Sequence, residues 1–211
     1  MTETLIDHLV ADLTPRPALR MAALWRLSAL AFAGVAGLIL GSMGVRVDAM
    51  AALHSGALLW KPGLFLLLAL ALLRWVGDLS RPVGAASPWP WVGLGASGLL
   101  YAAVLWGQAT PAALWIKDLH DPTAPYCFGS VMGGGGVALA LMWRFWLRHT
   151  ASPRPERLGG LAGLAAGALA AAAYALHCPQ DHISFLTIYY GAPLVLLTGA
   201  GVLLGRRTLQ W

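Results

Sequence analysis

The sequence predicts an all-α, polytopic membrane protein: a six-transmembrane-helix bundle preceded by a short amphipathic helix. Three observations carry this reading. Of the 211 residues, 58% are apolar before the 25 glycines are counted, whereas soluble domains reach only about 45–50% with glycine included. Charged residues make up 11%, less than half of the usual figure of about 25%. Apolar runs of roughly 20 residues, the length that lets a helix cross a bilayer, recur along the chain. A chain with a mean hydropathy of +0.68 lacks the polar coat of a water-soluble globule, so lipid is its main solvent.

The first element is the segment TETLIDHLVADLTPRP. Leu5, Ile6, Leu9, Val10 and Leu13 recur at helical spacing on one face, Thr4 stands at the capping position, and Pro15 with Pro17 closes the run. Glu3, Asp7 and Asp12 lie on or beside the polar side. A helix that lies on anionic lipid is rich in Lys and Arg, and about ten residues is too short for a stable isolated helix. An acidic segment of this kind suits folding onto a groove of another protein, with packing on its own bundle as the alternative. The first 14 residues contain no Lys or Arg, so they lack the basic start of a cleavable leader. The first span is therefore expected to be retained. The chain divides into a cytoplasmic segment, residues 1–23, and a transmembrane domain, residues 24–211.

The six spans follow as residues 25–45, 57–76, 89–107, 127–147, 158–176 and 183–204. They leave short loops and no room for a second globular domain. Lys61 and Pro62 stand in the opening turn of the second span. Of the 14 Lys and Arg, eleven fall on one side: Arg16, Arg20, Arg26, Arg74, Arg81, Arg144, Arg148, Arg154, Arg157, Arg206 and Arg207. Arg46, Lys61 and Lys117 fall on the other. Cytoplasmic loops carry the excess of Lys and Arg, so both termini are expected in the cytoplasm. The basic pI of about 9.7 thus reports topology, and no direct contact with nucleic acid is expected. Trp25, Trp75, Trp89, Trp143, Trp146 and Trp211 fall near span ends, where an aromatic belt would place them.

Small residues at four-residue spacing, Gly37 with Gly41 and Gly159, Gly163 and Gly167, allow helices to approach closely in lipid. Packing within the bundle is the plain use of such spacing, and a homodimer face is the alternative. Four consecutive glycines, Gly133 to Gly136, weaken a helix by about 1 kcal/mol each relative to Ala. They are either a deformable point or a place of close packing, as is Pro193 in the sixth span.

Several functions lose ground on this reading. No ionisable group falls near a span midplane, where transporters and pumps place them. No phosphate-binding loop, HExxH or nucleophile–base arrangement is present, so the chain does not read as an enzyme. Two cysteines cannot build a disulfide scaffold. They do fall together on the outer side: Cys127 opens the fourth span, and His177, Cys178, Pro179, Asp181 and His182 form the turn between the fifth and sixth. His54 and His120 lie on the same side. Thiolate with imidazole suits zinc, copper and similar thiophilic ions, while two thiols in an oxidising compartment pair as a disulfide. Pro179 breaks the helix directly after His177 and Cys178, which frees their geometry. A structural disulfide, buried free thiols and a metal site all remain open on this pattern alone.

The opening LIDHLVADLTP with the basic residues after it, the six spans, the Cys at the start of the fourth, the stretch AYALHCPQDHISFLTIYYG and the terminal GRR with its final Trp together resemble the negative-regulator-of-sigma-F family. The resemblance covers nearly the whole chain, and Tyr189–Tyr190 stands where the family commonly has Trp-Tyr. It implies a bacterial inner-membrane anti-sigma factor that holds an extracytoplasmic-function sigma factor at the membrane through its N-terminal helix. The sigma-binding residues are then Leu5, Ile6, Asp7, Leu9, Val10, Asp12 and Leu13. It also implies that Cys127 and Cys178 respond to heavy-metal or oxidative stress. His177 is the third candidate metal ligand and His182 a further candidate sensing residue. No cofactor is obligatory, and a thiophilic metal ion acts as the signal. The runner-up is a small membrane transporter or metal-resistance protein, which needs a polar path through the spans. A structural subunit of a larger membrane complex is the third reading, and a binding partner distinguishes it.

Overall fold

The computed structural model describes residues 20–81, 87–109 and 111–209. Residues 1–19, with the candidate sigma-binding positions Leu5, Ile6, Asp7, Leu9, Val10, Asp12 and Leu13, lie outside these, as does Trp211. Among the described residues the fold is wholly helical. The six long apolar helices expected from the sequence are present, with lengths and compositions suited to crossing a membrane.

Helix α1 spans Met21–Met43 and the short α2 Ala49–His54, followed by α3 over Ala57–Leu79 and α4 over Trp89–Gln108. A second short helix, α5, covers Ala112–Asp118; then come α6 over Ala124–Phe145, a single 3-10 turn at Leu147–His149, and α7 over Pro155–Ala175. The sixth span is not one rod as expected. It divides into α8, Ile183–Tyr189, and α9, Gly191–Thr208. Proline has no N–H and its ring crowds the carbonyl four residues back; for Pro193 that carbonyl belongs to Tyr189, where α8 stops. Pro193 itself sits in the first turn of α9, where proline is tolerated.

Helix α7 is the centre of the bundle. Of its apolar window 89% is buried, against 11% in α4, which lies at the periphery beside α3. The sequence of α7, PERLGGLAGLAAGALAAAAYA, is almost entirely Ala, Gly and Leu, so neighbours can close in on every side. Its contact with α9 is backbone against backbone. A Cβ on Gly163 would stand 2.1 Å from the Leu197 carbonyl oxygen, and one on Gly159 2.1 Å from that of Gly201. These glycines therefore pack the bundle internally. Gly37 and Gly41 do not: nothing lies within 4 Å of their Cβ positions, and their face of α1 is exposed.

Helix α6 runs unbroken through Gly133–Gly136. A Cβ on Gly134 would meet Val35 at 2.8 Å, and one on Gly135 would meet Leu197 at 2.4 Å, whereas Gly133 and Gly136 face open space. Two of the four glycines thus admit neighbouring helices, and two do not.

The bundle has two unlike ends. At one, Gly77 meets Met21, Gly205 meets Pro155, and Trp146 donates from Nε1 to Ser80 Oγ at 3.1 Å. The arginines of the eleven-residue set that are described gather there. Trp146 departs from the aromatic-belt expectation, for it is 3% exposed and its indole N–H is spent inside the bundle. At the opposite end stand Arg46, Lys61, Cys127, His177 and Cys178.

Candidate functional site

Cys127 lies in the first turn of α6, and Cys178 in the turn that follows α7. The N–H of Cys178 reaches back to the Tyr174 carbonyl at 3.1 Å, which curls the chain over the end of α7. That curl brings the two sulfurs to 3.7 Å across 51 residues of sequence. Both cysteines are free and 1% exposed. A disulfide needs about 2.05 Å between sulfurs, so bond formation asks for a modest further approach. Two thiolates on a tetrahedral ion at about 2.3 Å from each would stand about 3.8 Å apart. The spacing suits the edge of a metal site without further movement.

The histidines are placed differently from the cysteines. His177 is turned aside, with its Nδ1 2.8 Å from the Gly44 carbonyl oxygen and its ring 5.7 Å from that of Tyr174. His182 is exposed and sits at the start of α8. Among the described residues, no group of three or more His, Cys, Asp or Glu stands ready to hold a metal ion. A metal at this site would have the two thiols as its arranged ligands.

The ionic frame around the thiols was not part of the sequence-based candidate set. Lys61 is 0% exposed and its ammonium donates to the carbonyl oxygens of Cys178 at 2.9 Å and Gln180 at 2.6 Å. It also lies 3.5 Å from Asp181 Oδ1 and 5.4 Å from the centre of the Tyr190 ring. Arg46, 3% exposed, bridges two carboxylates: Nε and Nη2 donate to Asp48 at 2.8 Å each, and Nη1 and Nη2 to Asp181 at 3.2 and 2.8 Å. One cation thus holds the backbone of the Cys178 turn and the other holds its carboxylate. Unmatched buried charges are expensive, and these satisfy each other in the way buried pairs must.

The electrostatics follow from the frame. The Cys178 thiol is held below the ordinary thiol range, first by the hydrogen bond from Cys127 and, against the opposing effect of burial, by the Lys61 ammonium. The Asp48 carboxyl is lowered by its hydrogen bonds from Arg46, and the Arg46 guanidinium is raised in turn, chiefly by Asp48. Aromatic rings close the inner side: Phe65 stacks on Tyr190 at 5.2 Å, and the buried Tyr190 hydroxyl lies beside the Cys178 thiol.

Polar side chains pin the loop outside this frame to α8. Gln108 donates to the Asp181 carbonyl at 2.9 Å and accepts from the Ile183 N–H at 2.8 Å. Gln180 donates to Asp121 at 2.9 Å, and Ser184 donates to the buried Asp118. A signal for these residues existed in the sequence: Lys61 is a charge at the start of an apolar run, and intramembrane charges are functional candidates by default.

The model of the family described as negative regulator of sigma F matches residues 9–211. The chain is similar to the anti-sigma-F factor NrsF of Caulobacter vibrioides, 31% identical over 229 residues that cover 100% of this chain and 99% of that protein. It is also similar to a probable anti-sigma-F factor NrsF of Azospira oryzae, 31% identical over 186 residues, 85% of this chain and 84% of that one. No solved structure matches. A family match over nearly the full length, on a chain with six membrane-length helices, makes this a multi-pass membrane regulator rather than a catalyst, and the chain belongs to the negative regulator of sigma F family, NrsF.

Proposed function

We propose that this protein is a bacterial inner-membrane anti-sigma factor. Its cytoplasmic residues 1–23 hold an extracytoplasmic-function sigma factor, and it releases that factor when Cys127 and Cys178 meet a thiophilic metal ion or an oxidant on the periplasmic side. The Arg-rich end of the bundle then faces the cytoplasm, in keeping with the bias of Lys and Arg to that side. The amphipathic face of Leu5, Ile6, Leu9, Val10 and Leu13, with Asp7 and Asp12 beside it, is the sigma-binding element.

The observation that carries the sensing half is the 3.7 Å separation of the two buried thiols on a turn gripped by Lys61 and Arg46. Drawing Cys178 and Cys127 onto one ion, or into one disulfide, shifts the start of α6 relative to the turn after α7. Helix α6 packs along α7 through Gly135 and against α1 through Gly134. Movement of α6 is thereby passed to α1, which leads directly into the N-terminal segment. Inverting an occupancy of 1:99 requires a preference of about 5.5 kcal/mol for the released state, and thiolate–metal sites reach roughly 10 kcal/mol or more.

The test is a reporter driven by the cognate sigma factor, read with and without cadmium or diamide. Cys127→Ser and Cys178→Ser should keep repression and lose induction. Normal induction in both variants would make the thiols structural.

A further inference from the structure

A groove of about 380 Å³ runs down the outside of the bundle between α3, α7 and α9 at the Arg-rich end. Its mouth carries Arg154 and Arg157, both exposed, and its walls are Trp75, Leu161, Leu164 and Val202. Among the described residues, neither guanidinium makes an ion pair or hydrogen bond. The one acid among the described residues that lines the groove, Glu156, is already engaged, since it accepts from Arg206 at 3.0 Å. The mouth therefore presents two uncompensated positive charges. Deeper in, the Thr198 hydroxyl is spent on the Leu194 carbonyl at 2.7 Å, so the wall offers no free hydroxyl. Gly160 leaves the two helices close, for a Cβ there would stand 2.8 Å from Val202.

Depth identifies the occupant. From the start of α7 at Pro155 to Leu164 the helix rises about 14 Å, close to half of the roughly 30 Å hydrocarbon core. The groove is thus one leaflet deep, apolar along its length and cationic at the headgroup level. We propose that it binds an anionic phospholipid, whose phosphate sits between Arg154 and Arg157 and whose acyl chain lies along Leu161, Leu164 and Val202. Basic pockets between transmembrane helices recognise such headgroups. The chain's own residues 1–13 fit less well, because seating them would carry Asp7 or Asp12 into the hydrocarbon layer. The inference does not depend on the sensing reading, and each can fail alone.

The experiment uses the full chain, delipidated in neutral detergent, with dioleoyl phosphatidylglycerol or dioleoyl phosphatidylcholine added while thermal unfolding is followed. Phosphatidylglycerol should raise the unfolding temperature and phosphatidylcholine should not. Arg154→Gln with Arg157→Gln should weaken the apparent affinity for phosphatidylglycerol about thirtyfold, from roughly 1 kcal/mol for each Arg. Arg148→Gln with Arg207→Gln, at the same end but outside the groove, should keep it. Glycerol 3-phosphate should have no effect, since it lacks the chain. Removal of residues 1–17 should leave the preference unchanged. Equal responses to the two lipids, equal loss in the two double variants, or a full response to glycerol 3-phosphate would overturn the proposal. So would a preference that appears only after residues 1–17 are removed, which would mark the groove as the seat of that segment. Phosphatidylglycerol with a photoreactive acyl chain supplies a readout on the unaltered protein. Labels at Leu161 and Leu164 support the site, and labels spread evenly over the bundle surface overturn it.

Discussion

The Lys61 ammonium and the Cys178 carbonyl oxygen stand 2.9 Å apart, with the lysine side chain wholly buried. This bond ties the second span to the turn that carries the Cys178 thiol, and Gln180 takes a second bond from the same ammonium. Replacing Lys61 with Met leaves the Cys178 and Gln180 carbonyls without their buried donor, while Asp181 keeps only Arg46. Stability should fall by roughly 3 kcal/mol or more, the scale for breaking a buried polar network from one side. Thermal unfolding of the solubilised variant checks the loss, and an unchanged midpoint would remove Lys61 from the frame.

The sulfurs of Cys127 and Cys178 need to close only from 3.7 Å to about 2.05 Å. Diamide should therefore oxidise the pair to an intramolecular disulfide, with loss of two hydrogens visible by intact mass. Cys127→Ala should abolish that change and should also abolish cadmium binding measured by titration. Stoichiometric cadmium binding to Cys127→Ala would place the metal elsewhere.

Asp48 supplies a pH dependence whose sign is set by its partner. Its folded pKa is depressed by Arg46, so its contribution is complete above the unfolded value of about 3.9 and disappears as pH falls through the lower folded value. Unfolding midpoints recorded from about pH 6 down to about pH 3 should drop more steeply in the parent protein than in Asp48→Asn. Parallel curves would show that the pair with Arg46 adds nothing.

Glycines on α7 and α6 should respond in opposite directions. Gly163→Val places a Cβ 2.1 Å from the Leu197 carbonyl oxygen and forces α7 from α9, a loss of about 3 kcal/mol. Gly133→Ala meets nothing within 4 Å and should gain about 0.5–1 kcal/mol from helix propensity. Denaturation of the two variants in one detergent decides the matter.

The spacing of Leu5, Ile6, Leu9, Val10 and Leu13 in the sequence predicts an apolar helix face that includes Leu9. Leu9→Glu should eliminate co-purification of the sigma factor while membrane insertion stays intact. Unaltered co-purification would move the sigma-binding element away from residues 1–13.

Local pattern determined much of this protein. Hydropathy and run length gave six spans because a bilayer admits only segments that satisfy their own backbone hydrogen bonds, and the arginine count grouped one end of the bundle because charge is kept to the loops and the ends of the spans. Side-chain pairing across spans was not legible. The approach of Cys127 to Cys178 depends on how α6 packs on α7, the turning of His177 toward Gly44 on a loop from another span, and the burial of Trp146 on Ser80. The break at Tyr190 was only half visible, as a proline without its consequence. Nor did spacing distinguish Gly163, which touches a neighbouring backbone, from Gly37, which touches nothing. These outcomes are set by distances between segments remote in sequence, and a linear pattern carries no information about which face of one helix meets another. Lys61 marks the boundary: its presence at the start of an apolar run is a fact of sequence, but only the tertiary structure supplies the carbonyls and carboxylate that let a charge remain there.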